Sequence, residues 1–194
     1  PTLHVHAGEA MAILAGDVMV SLAYGLIAQA NLDASIRAQV ALELSQATNS
    51  MIVGQVYDAI GMDRARMTPR QVLETIHRHK TGALIRAACR MGAISGGADN
   101  SQLDALTRYG EAMGLMFQII DDLLDVTQSA EHIGKATGKD IGAGKLTFPG
   151  LLGVEESRKE VVRLREAALL SLAELGHAAQ PLRDVCEMMA VRTK

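Results

Sequence analysis

The segment Phe117-Gln118-Ile119-Ile120-Asp121-Asp122-Leu123-Leu124-Asp125 sets three carboxylates within five residues. Asp121 and Asp125 are i, i+4, and Asp122 and Asp125 are i, i+3, so on a helix all three are expected near one stripe. Gln118 falls one turn before Asp121 on that stripe. Like charges so placed repel, and the neighbouring Ile119, Ile120, Leu123 and Leu124 penalise charge further by desolvation. A cation relieves both effects. Carboxylates with water are hard oxygen donors that suit Mg²⁺ bridging to substrate phosphates. An acidic face in plain solvent is the simpler alternative, and the apolar flanks argue against it.

The next element carries the matching charge. The stretch from Gly134 to Lys145 sets Lys135, Lys139 and Lys145 among four glycines, with Asp140 between them. Glycines allow the backbone to close on an anion, and lysines provide point charges for phosphate. Neither Gly-Lys pair has the glycine spacing of a P-loop, and Asp140 and Leu146 stand where Ser or Thr would be required. A third cluster is His77-Arg78-His79-Lys80-Thr81-Gly82, followed by Arg86 and Arg90. Lys80 and the Thr81 hydroxyl, beside a glycine that permits a kink, are candidates for a phosphate oxygen. Gly54-Gln55 with Asp58 is a weaker candidate, since a polar Gln in an apolar helix also reads as a satisfied core amide. No nucleophile motif accompanies these groups. A metal-bound diphosphate without a nucleophile points to diphosphate as a leaving group, with metal and lysines stabilising its developing charge.

The elements that must position these residues read as helices. The chain has 194 residues, 48% of them apolar, with four prolines and a net charge of −3. Ala, Leu, Met, Glu, Arg and Gln dominate, no stretch alternates for long, and no hairpin turn occurs. The spacing predicts helices over about 6–30, 33–60 and 68–94, the last opened by Thr68-Pro69 and kinked near Gly82. A fourth is predicted over 101–127, with Leu103, Leu106, Gly110, Met113, Phe117, Ile120 and Leu124 on its apolar stripe. A loop over 129–144, a short helix after Pro149, a charged helix over 155–175 and a last helix after Pro181 complete the chain. No linker divides it, so residues 1–194 are expected to form one domain. The mild acidity and the 3% aromatic content argue against nucleic-acid binding. The longest uncharged stretches, between Asp17 and Asp33 and between Glu43 and Asp58, fall short of the ~18–20 residues of a membrane span, so no transmembrane helix is expected. Two cysteines make no disulfide framework, and a reducing, cytoplasmic setting is expected.

Together these motifs resemble the trans-isoprenyl diphosphate synthases, and most closely the bacterial farnesyl diphosphate synthases. Ile76 through Ala88 matches that group almost letter for letter. Gly8-Glu9-Ala10, Ile13 through Asp17 and Phe117 through Asp125 are similar to it as well, and Lys145-Leu146-Thr147-Phe148-Pro149 and Arg192-Thr193-Lys194 are close. The resemblance implies an all-α antiparallel bundle around a central cavity, usually a homodimer. It implies condensation of an allylic diphosphate with isopentenyl diphosphate to a short-chain product such as farnesyl diphosphate, with two or three Mg²⁺ ions in the intact enzyme. Asp121, Asp122 and Asp125 match its second aspartate-rich motif. Lys80, Thr81, Gln118, Lys135 and Lys145 match positions that hold the allylic diphosphate or support the metals, with Phe117 beside them. Asp140 matches a position near metal-bound waters, and Lys139 a variable one. The family's first aspartate-rich motif precedes the Pro-Thr with which this chain begins. The motif, its arginines, the isopentenyl diphosphate site and the product-length residues are therefore expected upstream, on N-terminal helices missing here, and these 194 residues alone are expected to be inactive. Alternatives are a geranylgeranyl or longer-chain synthase, a non-catalytic partner subunit and a terpene cyclase, the last disfavoured by the Lys80-Thr81 and Lys145 pattern.

Overall fold

A computed structural model of the chain describes the backbone of residues 1–132 and 146–192. Among the described residues the structure is all-α, as expected. The elements are α1 (Leu3–Ala7), α2 (Glu9–Gln29), α3 (Ala34–Ala59), α4 (Pro69–His77), a π-helical turn (Arg78–Gly82), α5 (Ala83–Ser95) and α6 (Asn100–His132). After them come α7 (Phe148–Leu152), α8 (Val154–Ser171), a 3₁₀ segment (Ala173–Ala179) and α9 (Gln180–Ala190). The chain forms two compact units, Pro1–Leu42 and Glu43–Lys194.

In the first unit the single helix expected over 6–30 is broken at Gly8, which takes φ 88° between α1 and α2. Only glycine adopts that conformation readily. α2 buries none of its residues, and Ile13, Leu14, Val18, Met19, Leu22 and Leu26 are all more than half exposed. By length and composition alone it is long and apolar enough to cross a membrane, so the argument from uncharged stretches does not exclude a span. That argument counted only stretches free of every charge, whereas α2 carries Glu9 and Asp17 and is still apolar over most of its length.

The second unit is built on α6, which packs against α5 and against α8. Its core joins Leu73 of α4, Met113, Leu115, Met116 and Ile119 of α6, Phe148 of α7, Leu164 of α8 and Cys186 of α9. The Tyr109 hydroxyl donates to the Leu182 carbonyl at 2.8 Å, tying α9 to α6. α4 starts as its sequence announces. Thr68 accepts from the Gln71 backbone N–H, Gln71 returns the bond to Thr68, and Pro69 follows. Small residues (Ala47, Ala83 and Ala87) let α3 and α5 approach closely. Arg90 on α5 grips Glu43 on α3 with two bonds of 2.6 and 2.9 Å and donates to Thr107 at 2.7 Å. That guanidinium holds the Glu43 carboxyl below its ordinary range. Glu160, buried on α8, is held down in the same way by Arg163 and Arg70. The charged helix expected to reach residue 175 stops at Ser171, and the chain bends at Gly176, with φ 60°. α6 runs past its expected end at Thr127 to His132.

Candidate functional site

The kink expected at Gly82 is a full π-helical turn over Arg78–Gly82, a feature often found at functional sites. Two glycines on neighbouring helices hold it. A Cβ at Gly54 of α3 would strike the Lys80 backbone nitrogen, and one at Gly114 of α6 would lie 2.6 Å from the Gly82 Cα. Backbone thus meets backbone on both sides. The Lys80 ammonium lies 2.5 Å from Asp58 Oδ2 on α3 and is one-third exposed. One bond to Asp58 leaves two ammonium protons for an anion. Asp58, weak in the sequence, is therefore the partner that places Lys80.

Thr81 on the π turn and Gln118 on α6 meet directly. The Thr81 hydroxyl donates to Gln118 Oε1 at 2.9 Å. Gln118 Nε2 then donates to Asp122 Oδ1 at 3.3 Å, and the Phe148 backbone N–H donates to Asp122 Oδ2 at 3.0 Å. Asp122 is 6% exposed and also faces His77 Nε2 at 3.6 Å. His77 is buried, its Nε2 finds no hydrogen-bond partner, and its ring stacks on Phe148 at 5.7 Å.

The three aspartates, expected on one stripe, differ in exposure and in partners. Adjacent helical residues point about 100° apart, since 3.6 residues make a turn. Asp122 turns inward to its buried bonds, and Gln118, at i, i+4 to it, pairs with Asp122 rather than Asp121. Asp121 stays one-third exposed, with Arg192 Nη1 at 3.1 Å from its Oδ1. The same guanidinium lies over the Phe117 ring, 5.2 Å from its centroid. Burial pushes the Asp121 carboxyl above its ordinary range, and Arg192 draws it part of the way back. Asp125 is half-buried one turn beyond Asp121. Arg192 had a signal in the sequence, the similarity of the C-terminus. Asp58 had one in its spacing from Gly54-Gln55. His77 had none, because burial is what singles it out. Lys135, Asp140 and Lys145, with Lys139, lie outside the described residues. A cavity of about 540 Å³ is lined by Ile120, Leu124, Val161 and Arg192 among others. Ile120 and Leu124 place it on the side of α6 opposite Gln118 and Asp122.

A family model described as polyprenyl synthetase matches residues 1–180. The chain belongs to the polyprenyl synthetase family. The farnesyl diphosphate synthase of Escherichia coli (strain K12) is 43% identical over 180 residues, 91% of this chain and 60% of that protein. Geranylgeranyl pyrophosphate synthase 11, chloroplastic, of Arabidopsis thaliana is 40% identical over 205 residues, 99% of this chain and 56% of that protein. The chain thus spans a little over half the length of the curated relatives it matches. The crystal structure of a geranyltransferase from Helicobacter pylori, complexed with magnesium and isoprenyl diphosphate, superimposes with a TM-score of 0.77 at 33% identity. It covers 97% of this chain and 62% of that one.

The donor set of this polyprenyl synthetase chain fits Mg²⁺. Among the described residues no three His, Cys, Asp or Glu side chains converge as a metal cage. Mg²⁺ does not need one, because it usually keeps several waters and takes one or two carboxylates plus substrate phosphate. Asp121, one-third exposed and facing the Arg192 guanidinium, is a carboxylate that could hold it, with Asp125 one turn on. Asp122 has both oxygens committed inside the protein. Lys80 sets a positive charge on the π turn, one-third exposed beside Asp58.

Proposed function

We propose that the protein is a prenyltransferase that condenses an allylic diphosphate with isopentenyl diphosphate and releases diphosphate. The observation that carries this reading is the joining of the Lys80-Thr81 turn to the aspartate helix through the Thr81–Gln118 bond. That bond supports reading Lys80, next to Thr81, and the aspartates of α6, one turn beyond Gln118, as parts of one site. Mg²⁺, when bound, supplies charge neutralisation for the departing diphosphate. Asp121 and Asp125 would hold it, and Lys80, fixed by Asp58, would bind the diphosphate oxygens. The reaction breaks the C1–O bond of the allylic substrate, and the electron pair leaves with diphosphate. The C4 alkene carbon of isopentenyl diphosphate forms the new bond to C1, and a proton leaves C2 with diphosphate as its acceptor. Lys135 and Lys145 are proposed to contact the same diphosphate, and Asp140 the metal-bound waters.

Farnesyl diphosphate is the proposed product, on the similarity to the Escherichia coli enzyme. The Arabidopsis relative favours geranylgeranyl diphosphate as the second reading. The exposed apolar side chains of α2 favour cover by further polypeptide, and a homodimer in the cytoplasm is the proposed assembly. The test is to incubate the full-length protein with geranyl diphosphate, isopentenyl diphosphate and Mg²⁺, and to identify products by mass spectrometry. A C15 diphosphate is expected, and C20 would select the second reading. Failure to form any carbon–carbon bond with geranyl, dimethylallyl or farnesyl diphosphate would refute the proposal.

A further inference from the structure

Asp122 lies in an aspartate motif, yet both of its carboxylate oxygens are engaged inside the protein. Its Oδ2 accepts the Phe148 backbone N–H at 3.0 Å and faces His77 Nε2 at 3.6 Å, while Oδ1 accepts Gln118 Nε2 at 3.3 Å. Because Oδ1 accepts, Gln118 must turn its NH₂ towards Asp122 and its carbonyl oxygen towards Thr81. That carbonyl takes the Thr81 hydroxyl proton at 2.9 Å. The orientation passes from one buried carboxylate through an amide to a hydroxyl on the π turn. Thr81 is left with its proton directed inward and its lone pairs outward. This alters the role the sequence offered for Thr81: a hydroxyl whose proton is engaged does not donate to a phosphate oxygen.

We propose that Asp122 is a positioning residue that sets the donor–acceptor polarity of Gln118 and Thr81, and not a ligand of the metal. The proposal rests on the reading of the Lys80-Thr81 turn as part of the reaction site. The geometry predicts what an isosteric change does. In Asp122→Asn the buried Phe148 N–H still requires an acceptor, so the new carbonyl oxygen takes the place of Oδ2 and the new NH₂ faces Gln118. Two NH₂ groups cannot bond. The Gln118 amide therefore turns over, its NH₂ donates to Thr81, and the Thr81 proton is directed outward. Adding Gln118→Glu restores an acceptor towards both neighbours and returns Thr81 to its original polarity.

The experiment compares the full-length wild type with Asp122→Asn, Gln118→Glu/Asp122→Asn and Asp121→Asn, using Mn²⁺ affinity by electron paramagnetic resonance and steady-state kinetics. Asp122→Asn is expected to bind Mn²⁺ within about twofold of wild type, while Asp121→Asn loses tenfold or more. kcat of Asp122→Asn is expected to fall tenfold or more with KM for the allylic substrate within threefold, and the double variant to recover most of kcat. Equal loss of Mn²⁺ affinity in Asp122→Asn and Asp121→Asn overturns the proposal, and so does a double variant no better than the single one. A measurement on the metal-free wild type covers the case in which Asp122→Asn fails to fold. Scalar coupling across the hydrogen bond between Gln118 Nε2 and the Asp122 carboxylate carbon is expected by NMR, and a Gln118 NH₂ directed at Thr81 overturns the proposal. The metal and NMR readings need no turnover, so failure here is distinct from failure of the prenyltransferase reading, which shows as absent condensation in wild type.

Discussion

α2 and α6 are both long helices rich in Leu, Ile, Val and Met, and they end in opposite states. α6 buries Met113, Leu115, Met116 and Ile119 almost completely and leaves Asp121 at the edge of that packing. α2 buries nothing. The difference lies in pattern as much as in composition. α6 sets charged residues such as Asp104, Arg108, Glu111 and Asp121 among its apolar ones, whereas the apolar residues of α2 run round the helix with few charges, the mark of an element enclosed by others. A helix of the first kind positions chemistry within these residues. One of the second kind awaits cover, because exposed apolar patches of that size mark interaction surfaces.

Substitutions should separate the two helices by sign and size. The largest effect is expected where α6 meets α7: Phe148→Ala, fully buried against His77, should cost about 3–5 kcal/mol in chemical denaturation. Gly114→Ala comes next, because its new Cβ meets the Gly82 backbone. A loss of about 1–3 kcal/mol is expected, together with weakened diphosphate binding through the shifted Lys80-Thr81 turn, measured by calorimetry. A retained melting temperature in either variant would remove the packing account of α6.

The pH dependence has a defined sign. The carboxyls of Glu43 and Glu160 are held below their ordinary value near 4.5 by Arg90 and by Arg163 with Arg70. Lowered carboxyl values mean that their stabilisation is fully present above that ordinary value and is lost as pH falls through the folded values beneath it. Denaturation midpoints should therefore drop below about pH 4.5, and by less in Arg90→Met. The smallest effect is expected on α2. Leu22→Ser should change the stability of this 194-residue chain by within about 0.5 kcal/mol and should raise its solubility, as read by light scattering. A large destabilisation would show that α2 is already packed.

Much of this was legible in the sequence, and the misses at the site share one cause. Thr68, Pro69 and Gln71 announced the start of α4 because capping is local chemistry. Gly82 announced a distortion, and the expected α6 stripe held Gly110, Met113 and Ile120 of its buried face but missed Tyr109, Leu115, Met116 and Ile119. What could not be read was which neighbour each polar group would find. Asp122 looked like Asp121 because spacing along one helix does not reveal that the Phe148 N–H, 26 residues on, comes to meet it. Asp58 and Lys80 are 22 residues apart on different helices, and their pairing depends on a close approach that Gly54 permits. Counting uncharged runs likewise ignored how few charges a helix as apolar as α2 carries.

The central claim is that Asp121, with Lys80, forms a metal-dependent diphosphate site. The most direct test is calorimetric titration of inorganic diphosphate into the full-length protein, with and without Mg²⁺, in wild type and in Asp121→Asn. Binding is expected to require Mg²⁺ in wild type and to weaken by tenfold or more in Asp121→Asn. Equal affinity with and without Mg²⁺, or an unchanged affinity in Asp121→Asn, would contradict it.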